Sequence, residues 1–255
     1  MRFISYNIYE GGEGRADPLA EVILAQNADV IALVEAGNSD VVQRIAKRLK
    51  MDFIHATGGK GAALFSRWTI RETIDHVALR KLDLKSFLQA TVIDPAGKEF
   101  DIGVIHLRAK AYQVDEDIRL KQIKIVFDTF AEHRKDNRPH FLMGDFNSNA
   151  PYQQIDPEKC TAVTRKAWQD NGAGIPRQVV QTILDAGYLD TLFAYKPELA
   201  ARTASFTTQY PGQRLDYIFS YGIEPAKIRS GWIEQDRLAR YASDHYPAGV
   251  EIDSH

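Results

Sequence analysis

The stretch HFLMGDFNSN, residues 140–149, decides how the rest of the sequence is interpreted. The apolar residues 141–143 predict a buried strand, and Gly144 permits a sharp turn after it. Asp145 and Asn147 then lie two residues apart, on one side of extended backbone. Asp and Asn after a strand commonly form turns by bonding their own backbone, so this stretch alone does not separate a turn from a functional site.

The bulk composition predicts a globular protein. The chain has 255 residues, of which 44% are hydrophobic and 26% are charged. Since no Pro/Ser-rich linker, low-complexity tract or internal repeat interrupts it, we predict one α/β domain over residues 1–255. The formal net charge of -2 gives no general attraction to nucleic acid. A polyanionic partner would therefore have to be held by a local site.

Cysteine use and hydropathy indicate the compartment. Cys160 is the only cysteine, which excludes an internal disulfide and a cysteine-based zinc cluster. Met1 and Arg2 lead directly into a strand-like run without an apolar signal region, and no apolar run is long enough to cross a membrane. We expect a monomeric, cytoplasmic protein without a transmembrane segment.

Short β-rich runs alternate with amphipathic helical stretches along the chain. Asp17 and Pro18 predict an N-cap and first helical position for a helix to Gln26. Two further helices are predicted over residues 39–49 and 115–133, and Pro176 starts a short one after a polar, turn-rich region. Strands are predicted at residues 29–34, 52–55, 62–65, 73–77, 87–93, 100–105, 215–220, 227–233 and 246–252. So many strands indicate two sheets packed face to face, with helices on the outer surfaces.

Polar residues recur at the ends of these predicted strands, where rigid scaffolds place catalytic groups. Each has an ordinary structural explanation when taken alone, as a turn residue, a solvated strand end or a core histidine. Together they supply oxygen ligands for a divalent cation, a group to handle the proton of water, and a carboxylate to orient an imidazole. Such donors suit Mg²⁺ or Mn²⁺ better than zinc. The residues are Asn7, Glu35, His106, Asp145, Asn147, Asp216, Asp244 and His245.

The ordered motifs SYNI, ALVEA, IHL, MGDFN, RLDYIF and SDHYP resemble those of the endonuclease/exonuclease/phosphatase (DNase I-like) superfamily of metal-dependent phosphoesterases. The resemblance extends from Tyr6 to Pro247, and GDFN with a downstream SDH is its most specific part. It implies a four-layer α/β sandwich, in which two mixed β-sheets pack face to face with helices on the outer faces. That architecture agrees with the strand count.

The resemblance also implies roles for the metal and water side of the site. Glu35 would be the principal metal ligand, with Asn7 beside it and Asp244 on the same side. Asp145 would position or deprotonate water, or assist the leaving oxygen. Asn147 would hold a phosphoryl oxygen.

The remaining implied roles concern histidines and cations. His245 would contact the phosphate, with Asp216 fixing its ring and favouring its protonated form. His106, followed by leucine, is similar to the DNase I-like, sphingomyelinase-like and deadenylase-like members, whereas abasic-site endonucleases carry a tyrosine there. Arg67 and Arg108 could rim the pocket and bind phosphate, although a solvated surface charge is the ordinary state of an arginine.

We therefore predict a Mg²⁺- or Mn²⁺-dependent phosphoric ester hydrolase, a phosphodiesterase or nuclease that cleaves a P–O bond by metal-assisted water attack. The alternatives are a phosphomonoesterase acting on a small phosphorylated metabolite or lipid headgroup, and a non-catalytic binding protein that keeps the fold. Motifs do not define the substrate, which could be a nucleic acid or a phospholipid headgroup. In residues 150–175, Tyr152 and Trp168 could either stack on a base or sugar or pack on the core.

Overall fold

The computed structural model of the protein describes residues 1–253, and residues 254 and 255 of the predicted domain lie outside it. The described part contains twelve strands: β1 (Arg2–Asn7), β2 (Val30–Val34), β3 (Asp52–Ala56), β4 (Ala62–Ser66), β5 (Thr69–Asp75), β6 (Ser86–Ile93), β7 (Glu99–His106), β8 (His140–Asp145), β9 (Leu189–Asp190), β10 (Asp216–Tyr221), β11 (Ile228–Ile233) and β12 (Ala248–Ile252). Its ten α-helices are α1 (Ala16–Ala25), α2 (Ser39–Leu49), α3 (His76–Arg80), α4 (Gln113–Thr129), α5 (Ala131–Lys135), α6 (Ala162–Asp170), α7 (Gln178–Asp185), α8 (Thr191–Tyr195), α9 (Pro197–Arg202) and α10 (Arg237–Ala242).

The strands form two mixed six-stranded sheets. The first has the order β11-β12-β1-β2-β4-β3, and the second has the order β5-β6-β7-β8-β10-β9. Each sheet has one parallel pair at its centre, β1 with β2 and β7 with β8, while all other described pairs are antiparallel. Helix α1 connects the first parallel pair, and α4 and α5 connect the second.

Three apolar clusters hold the layers together. Phe3 and Phe141 stack between the two sheets with ring centroids 4.5 Å apart. Helices α1, α2 and α10 cover the outer face of the first sheet, and α4 and α7 cover that of the second. Complete burial of one such side chain contributes about 1.5–3 kcal/mol. These four layers confirm the predicted α/β sandwich.

The parallel pairs bring the predicted site residues to one edge of the sandwich. Because β1 and β2 run in the same direction, Asn7 lies opposite Val34, the residue before Glu35. In the second sheet His106 lies opposite Asp145. Strand β10 runs antiparallel to β8, so its first residue, Asp216, also lies opposite Asp145. The sequence segment before β12 reaches the same edge because β12 is antiparallel to β1.

Several predicted boundaries differ from the structure. Helix α1 begins at Ala16, so Asp17 lies in its first turn and is not the N-cap. Strand β5 ends at Asp75, whose side chain caps α3, and residues 76 and 77 are helical where a strand was predicted. The long helix breaks at Phe130, between α4 and α5. Helix α6 occupies part of the region predicted to be turn-rich, and α8, α9 and α10 were not predicted.

Gly144 does not form the predicted turn, because it lies inside strand β8. Its φ is 145°, and a Cβ atom added there would lie 1.8 Å from the carbonyl oxygen of Ile105 on β7. Only glycine therefore lets the two strands approach closely at this point.

No helix among residues 1–253 is both long enough and apolar enough to span a membrane.

We expect Gly144→Ala to destabilise the protein by about 3 kcal/mol or more, because the added methyl group meets backbone atoms and the backbone conformation is strained. Urea unfolding would measure the change. Gly174→Ala is the matched control, since an added Cβ has no heavy atom within 4 Å there. Equal free energies of unfolding for the two variants would contradict this account.

Candidate active site

The structure brings eight of the predicted residues to the shared edge of the two sheets. Most are buried, since Asn7 and Asp145 are each 1% exposed and His106 and Asp216 are 0% exposed. Buried polar groups must be paired to offset their lost hydration. We call this group the polar cluster: Asn7, Glu35, His106, Asp145, Asn147, Asp216, Asp244 and His245.

Asp145 is the centre of the polar cluster. Its Oδ2 atom accepts a hydrogen bond from Asn7 Nδ2 at 3.1 Å, and lies 3.4 Å from His106 Nε2 and 3.8 Å from His245 Nε2. Its Oδ1 atom accepts from the backbone N–H of Asn147 at 2.9 Å. One carboxylate oxygen of Asp145 thus stabilises a turn, and the other faces the polar cluster.

A fixed hydrogen-bond network orients His245. Its Nδ1 atom donates to Asp216 Oδ2 at 2.7 Å, and Ser205 Oγ donates to the same oxygen at 2.6 Å. The ring of Phe206 lies 4.7 Å from the imidazole, centroid to centroid. These contacts aim Nε2 of His245 towards Asp145.

The same network determines the protonation states of His245 and Asp145. Burial alone would lower the pKa of His245, but Asp216 and Asp145 outweigh it and raise that pKa to about 10. Burial raises the pKa of Asp145 to about 7, while the neighbouring His245 opposes the rise. His245 is therefore a cation at neutral pH, and Asp145 can exchange a proton near neutrality.

Glu35 and Asp244 form an anionic side of the polar cluster. Burial is the main cause that raises the pKa of Asp244, and Glu35 adds to it. Oδ1 of Asp244 is buried without a hydrogen-bond partner among the described residues. Glu35 Oε2 accepts only a backbone N–H, from Glu10 at 2.9 Å. Two carboxylates that influence each other electrostatically, one of them with an unpartnered oxygen, fit a hard divalent cation such as Mg²⁺ or Mn²⁺.

Asn7 differs from its predicted role as a metal ligand. Its Oδ1 atom accepts from the backbone N–H of Tyr9 at 3.0 Å, so the amide nitrogen faces the cluster. That nitrogen lies 3.1 Å from Asp145 Oδ2 and 3.4 Å from Glu35 Oε1. Asn7 therefore donates hydrogen bonds to the carboxylates and orients them.

A second group could also receive a cation, because Asp145, Asp216 and His245 each offer an atom and these atoms lie within 4.8 Å of one another. A cation there would compete with the hydrogen bond between His245 and Asp216. The pair Glu35 and Asp244 is therefore the better fit.

His106 is fully buried and neutral. Burial, and then the charge of Lys85, lower its pKa well below the ordinary value. Lys85 Nζ lies 3.1 Å from His106 Nε2, and that nitrogen lies 3.9 Å from Glu35 Oε1. His106 thus connects a lysine to the two carboxylates at the centre of the site.

Asn147 and Arg108 lie beside the polar cluster. Asn147 has a φ of 50°, so its backbone is left-handed and not extended as predicted. Its Nδ2 donates to the carbonyl of Leu107 at 3.2 Å, which leaves the second amide hydrogen for a ligand. Arg108 lies two residues beyond His106, and its half-exposed side chain donates to Asp115 at 3.1 Å.

The prediction that Arg67 rims this pocket is wrong. Strand β4 is antiparallel to β2 and places Ser66 opposite Val30, at the end of β2 remote from Glu35. Five residues of strand span roughly 16 Å. Arg67 instead donates to Asn27 at 2.8 Å and lies 3.9 Å from Asp29.

The segment of residues 150–175 packs on the core through its aromatic side chains. The hydroxyl of Tyr152 donates to Asp190, and its ring centroid lies 4.0 Å from that of Phe193. Trp168 packs against a small cluster with Ala111 and Ile175 at its centre. Both aromatic residues are thus used in covering the core.

Four residues that contact the polar cluster or flank it were missed by sequence reasoning: Lys60, Lys85, Ser205 and Phe206. None lies in a recognised motif or directly after a motif-bearing strand. Only their tertiary contacts identify them. Lys60 also lines an open cavity of about 660 Å³ that begins at Glu35.

The arrangement can be compared with known proteins. A sequence profile of the Endonuclease/Exonuclease/phosphatase family matches residues 4–245. The chain belongs to this family. A comparison with curated protein sequences gave no match.

Solved structures of this family share the fold. The 3' phosphatase NExo from Neisseria, bound to a product DNA hairpin, is 21% identical with a TM-score of 0.71, and the alignment covers 99% of each chain. An AP endonuclease from Archaeoglobus fulgidus is 16% identical with a TM-score of 0.73 and the same coverage. An endonuclease/exonuclease/phosphatase from Beutenbergia cavernae is 20% identical with a TM-score of 0.70, over 98% of this chain and 70% of that chain.

In EDTA-treated protein at pH 8, we expect both ring nitrogens of His245 to carry protons, because the folded pKa of about 10 lies above that pH. His106 should be neutral. Long-range ¹H–¹⁵N NMR of the imidazoles would show both states. Asp216→Asn should make the His245 ring neutral at pH 8. A neutral His245 in the unmodified protein would refute the assigned ion pair.

Proposed function

We propose that this protein is a divalent-metal-dependent phosphodiesterase, of the kind that includes nucleases. One observation carries the proposal: the buried ion pair of His245 and Asp216 holds an imidazolium 3.8 Å from the carboxylate of Asp145. This arrangement places a fixed positive charge beside a group that can exchange a proton. Hydrolysis of a phosphate ester needs both.

Each residue of the polar cluster has a distinct part in this proposal. His245 donates to a phosphoryl oxygen and stabilises the charge that develops there. Asp145 takes a proton from the attacking water or gives one to the leaving oxygen. Asn147 offers its free amide hydrogen to the phosphate. Asp216 holds the ring of His245, and His106 closes the buried side of the site.

Glu35 and Asp244 would hold the metal ion. When bound, the ion would supply Lewis-acid stabilisation of phosphoryl charge. We propose Mg²⁺ or Mn²⁺ because the available donors are carboxylate oxygens. Asn7 keeps both Glu35 and Asp145 oriented through its amide nitrogen.

The openness of the site supports a diester as substrate. The cavity beside Glu35 is about 660 Å³, and a second one of about 170 Å³ lies next to Asn147 and Phe206. A phosphodiester has a substituent on each side of phosphorus and needs room for both. NExo was solved with a product DNA hairpin, which supports nucleic acid as the first class of substrate to test. Arg108 would contact the phosphate at the rim.

We further propose that residues 1–255 form one domain that acts as a cytoplasmic monomer. The unpaired Cys160 supports a reducing compartment, because it is buried and has no disulfide partner.

We expect Asp145→Asn and His245→Ala each to reduce turnover by at least ~100-fold, since each removes a proton-transfer or charge-stabilising group. Hydrolysis of a bis-aryl phosphate with Mg²⁺ or Mn²⁺, with and without EDTA, would measure it. Asp117→Asn, an exposed position on α4, is the matched control. Near-normal rates in either site variant would overturn the assigned roles. An unmodified protein that binds nucleic acid without hydrolysing these esters would be a binding protein instead.

Glu35→Gln should weaken metal binding at least ~10-fold, because it removes one anionic ligand from the site. Isothermal titration with Mn²⁺ measures this without relying on activity. Glu21→Gln, on the exposed face of α1, should leave the affinity unchanged. An unaltered affinity in Glu35→Gln would remove Glu35 from the metal site.

A further inference from the structure

Four polar side chains of α4 are buried although the proposed mechanism does not use them. Each is at most 4% exposed: Asp115, Glu116, Arg119 and Gln122. Three of them bond to residues 108–110, in the segment that follows β7. We call residues 107–111 the β7 loop. Since buried ion pairs seldom stabilise a fold more than apolar side chains of the same volume, these positions call for an explanation other than stability.

Arg119 fixes the course of the β7 loop. Its Nη1 atom donates to the carbonyl of Arg108 at 2.8 Å and to that of Lys110 at 2.7 Å. Lys110 has a φ of 79°, a backbone conformation that residues other than glycine keep only where their surroundings impose it. The buried guanidinium is one of the contacts that hold Lys110 in this left-handed conformation.

Glu116 joins Arg119 to the segment that follows β8. Its Oε2 atom accepts from Arg119 Nε at 2.8 Å and lies 2.7 Å from Nη2 of the same residue. Its Oε1 atom accepts from Ser148 Oγ at 2.9 Å and from the backbone N–H of Val179 at 2.8 Å. Both carboxylate oxygens are thus bonded twice, so the ion pair holds protein groups and not a ligand.

The two segments held by this ion pair meet at the site. Ser148 directly follows Asn147, whose φ is 50°, and Asn147 Nδ2 donates to the carbonyl of Leu107 in the β7 loop at 3.2 Å. Asn147 and Lys110 both line the cavity of about 170 Å³ next to Phe206. One buried ion pair therefore bonds to Lys110 and to the neighbour of Asn147, two left-handed residues that line the same cavity.

We propose that Glu116 and Arg119 are positioning residues of the phosphoester site, which hold the amide of Asn147 and the β7 loop in the arrangement that receives a phosphate. This inference rests on the proposed function, because it takes Asn147 to be a phosphate-binding group. Ser148 transmits the effect from Glu116 to Asn147. Donors that are already in place stabilise a charged transition state without the cost of reorganisation. The pair thus acts on turnover without touching the substrate.

A double-mutant cycle tests the connection to Asn147. Ser148→Ala removes one bond to Glu116 and leaves the ion pair in place. It should lower kcat/KM for the bis-aryl phosphate about 10-fold, the size expected for a lost hydrogen bond to a charged group. Asn147→Gly removes the amide, and glycine adopts the left-handed backbone without strain. In that background Ser148→Ala should lower kcat/KM by less than about 2-fold, because the group it positions is absent. Additive losses would overturn the inference.

Ser66→Ala is the matched control for the loss of a buried serine hydroxyl. Ser66 is 1% exposed and its Oγ accepts from the backbone N–H of Trp68 at 2.8 Å, at the end of β4 remote from Glu35. Its kcat/KM should equal that of the unmodified protein, and circular dichroism would confirm that each variant folds. A loss in Ser66→Ala equal to that in Ser148→Ala would show general loosening and overturn the positioning role.

Arg119→Lys tests the other half of the pair. Lysine keeps the positive charge but cannot reproduce the planar guanidinium that bonds two carbonyls and a carboxylate together. We expect kcat/KM to fall in the same direction as in Ser148→Ala. An unchanged rate in the folded variant would contradict the role of Arg119, and the cycle with Ser148 decides the inference if this variant does not fold.

Hydrogen exchange followed by NMR tests the same claim without turnover. The backbone N–H of Asn147 donates to Asp145 Oδ1 at 2.9 Å. Ser148→Ala should raise its exchange rate at least ~10-fold, because local opening becomes easier once the neighbouring residue is no longer held. Ser66→Ala should leave that rate unchanged. Equal rates in the two variants would overturn the inference.

The two measurements separate this inference from the proposed function. Cleavage of the diester that is unaffected by Ser148→Ala would overturn the inference and leave the proposed function intact. Failure of the unmodified protein to cleave the diester, with exchange at Asn147 responding as expected, would count against the proposed function and leave the positioning of Asn147 supported.

Discussion

The close parallel pairing of β7 with β8 is the constraint on which the site depends. At Gly144 the two backbones approach so closely that a methyl group would meet the carbonyl of Ile105. This approach sets His106 opposite Asp145, and β10, paired to the other side of β8, adds Asp216 at the same level. The first sheet has the same arrangement, because its parallel pair of β1 and β2 sets Asn7 opposite Val34, the residue before Glu35. Two sheets, each with strand ends aligned at the same edge, can hold a polar cluster that neither sheet could form alone.

That cluster brings four carboxylates and a single charged imidazole into a space from which water is largely removed. Such a set is costly to bury unless each charge is paired. Asp216 is matched by His245 and Ser205, and Asp145 by Asn7 and the backbone of Asn147. Asp244 is left with an unpartnered oxygen next to Glu35. Oδ1 of Asp216 also lacks a hydrogen-bond partner among the described residues, but the other oxygen of Asp216 is held by His245 and Ser205. We therefore expect a cation beside Glu35 and Asp244.

The sequence allowed the fold and most of the polar cluster to be predicted because the motif residues sit on long, strongly apolar strands. Strand direction was not predictable, and the error at Arg67 follows from that: β4 runs antiparallel to β2 and carries Arg67 to the far edge. Short helices such as α10 could not be predicted, because segments of this length are stabilised by packing and not by intrinsic propensity. Lys85 and Ser205 reach the site only through tertiary contacts, so no local pattern identifies them. The orientation of the Asn7 amide could not be predicted, because it depends on the backbone N–H of Tyr9, which bonds Oδ1 and leaves the amide nitrogen facing the cluster.

The pairing of β1 with β12 joins residues almost at opposite ends of the described chain, Arg2 with Glu251. During synthesis on the ribosome, β1 and β2 emerge early, yet β1 has an unpaired edge until β12 has been made. An exposed strand edge of this kind can form hydrogen bonds with the strands of other chains. Ser243 and His245 also precede β12 directly, so the imidazolium reaches the site only when this last strand docks. Closure of the first sheet and completion of the polar cluster are therefore one event in folding.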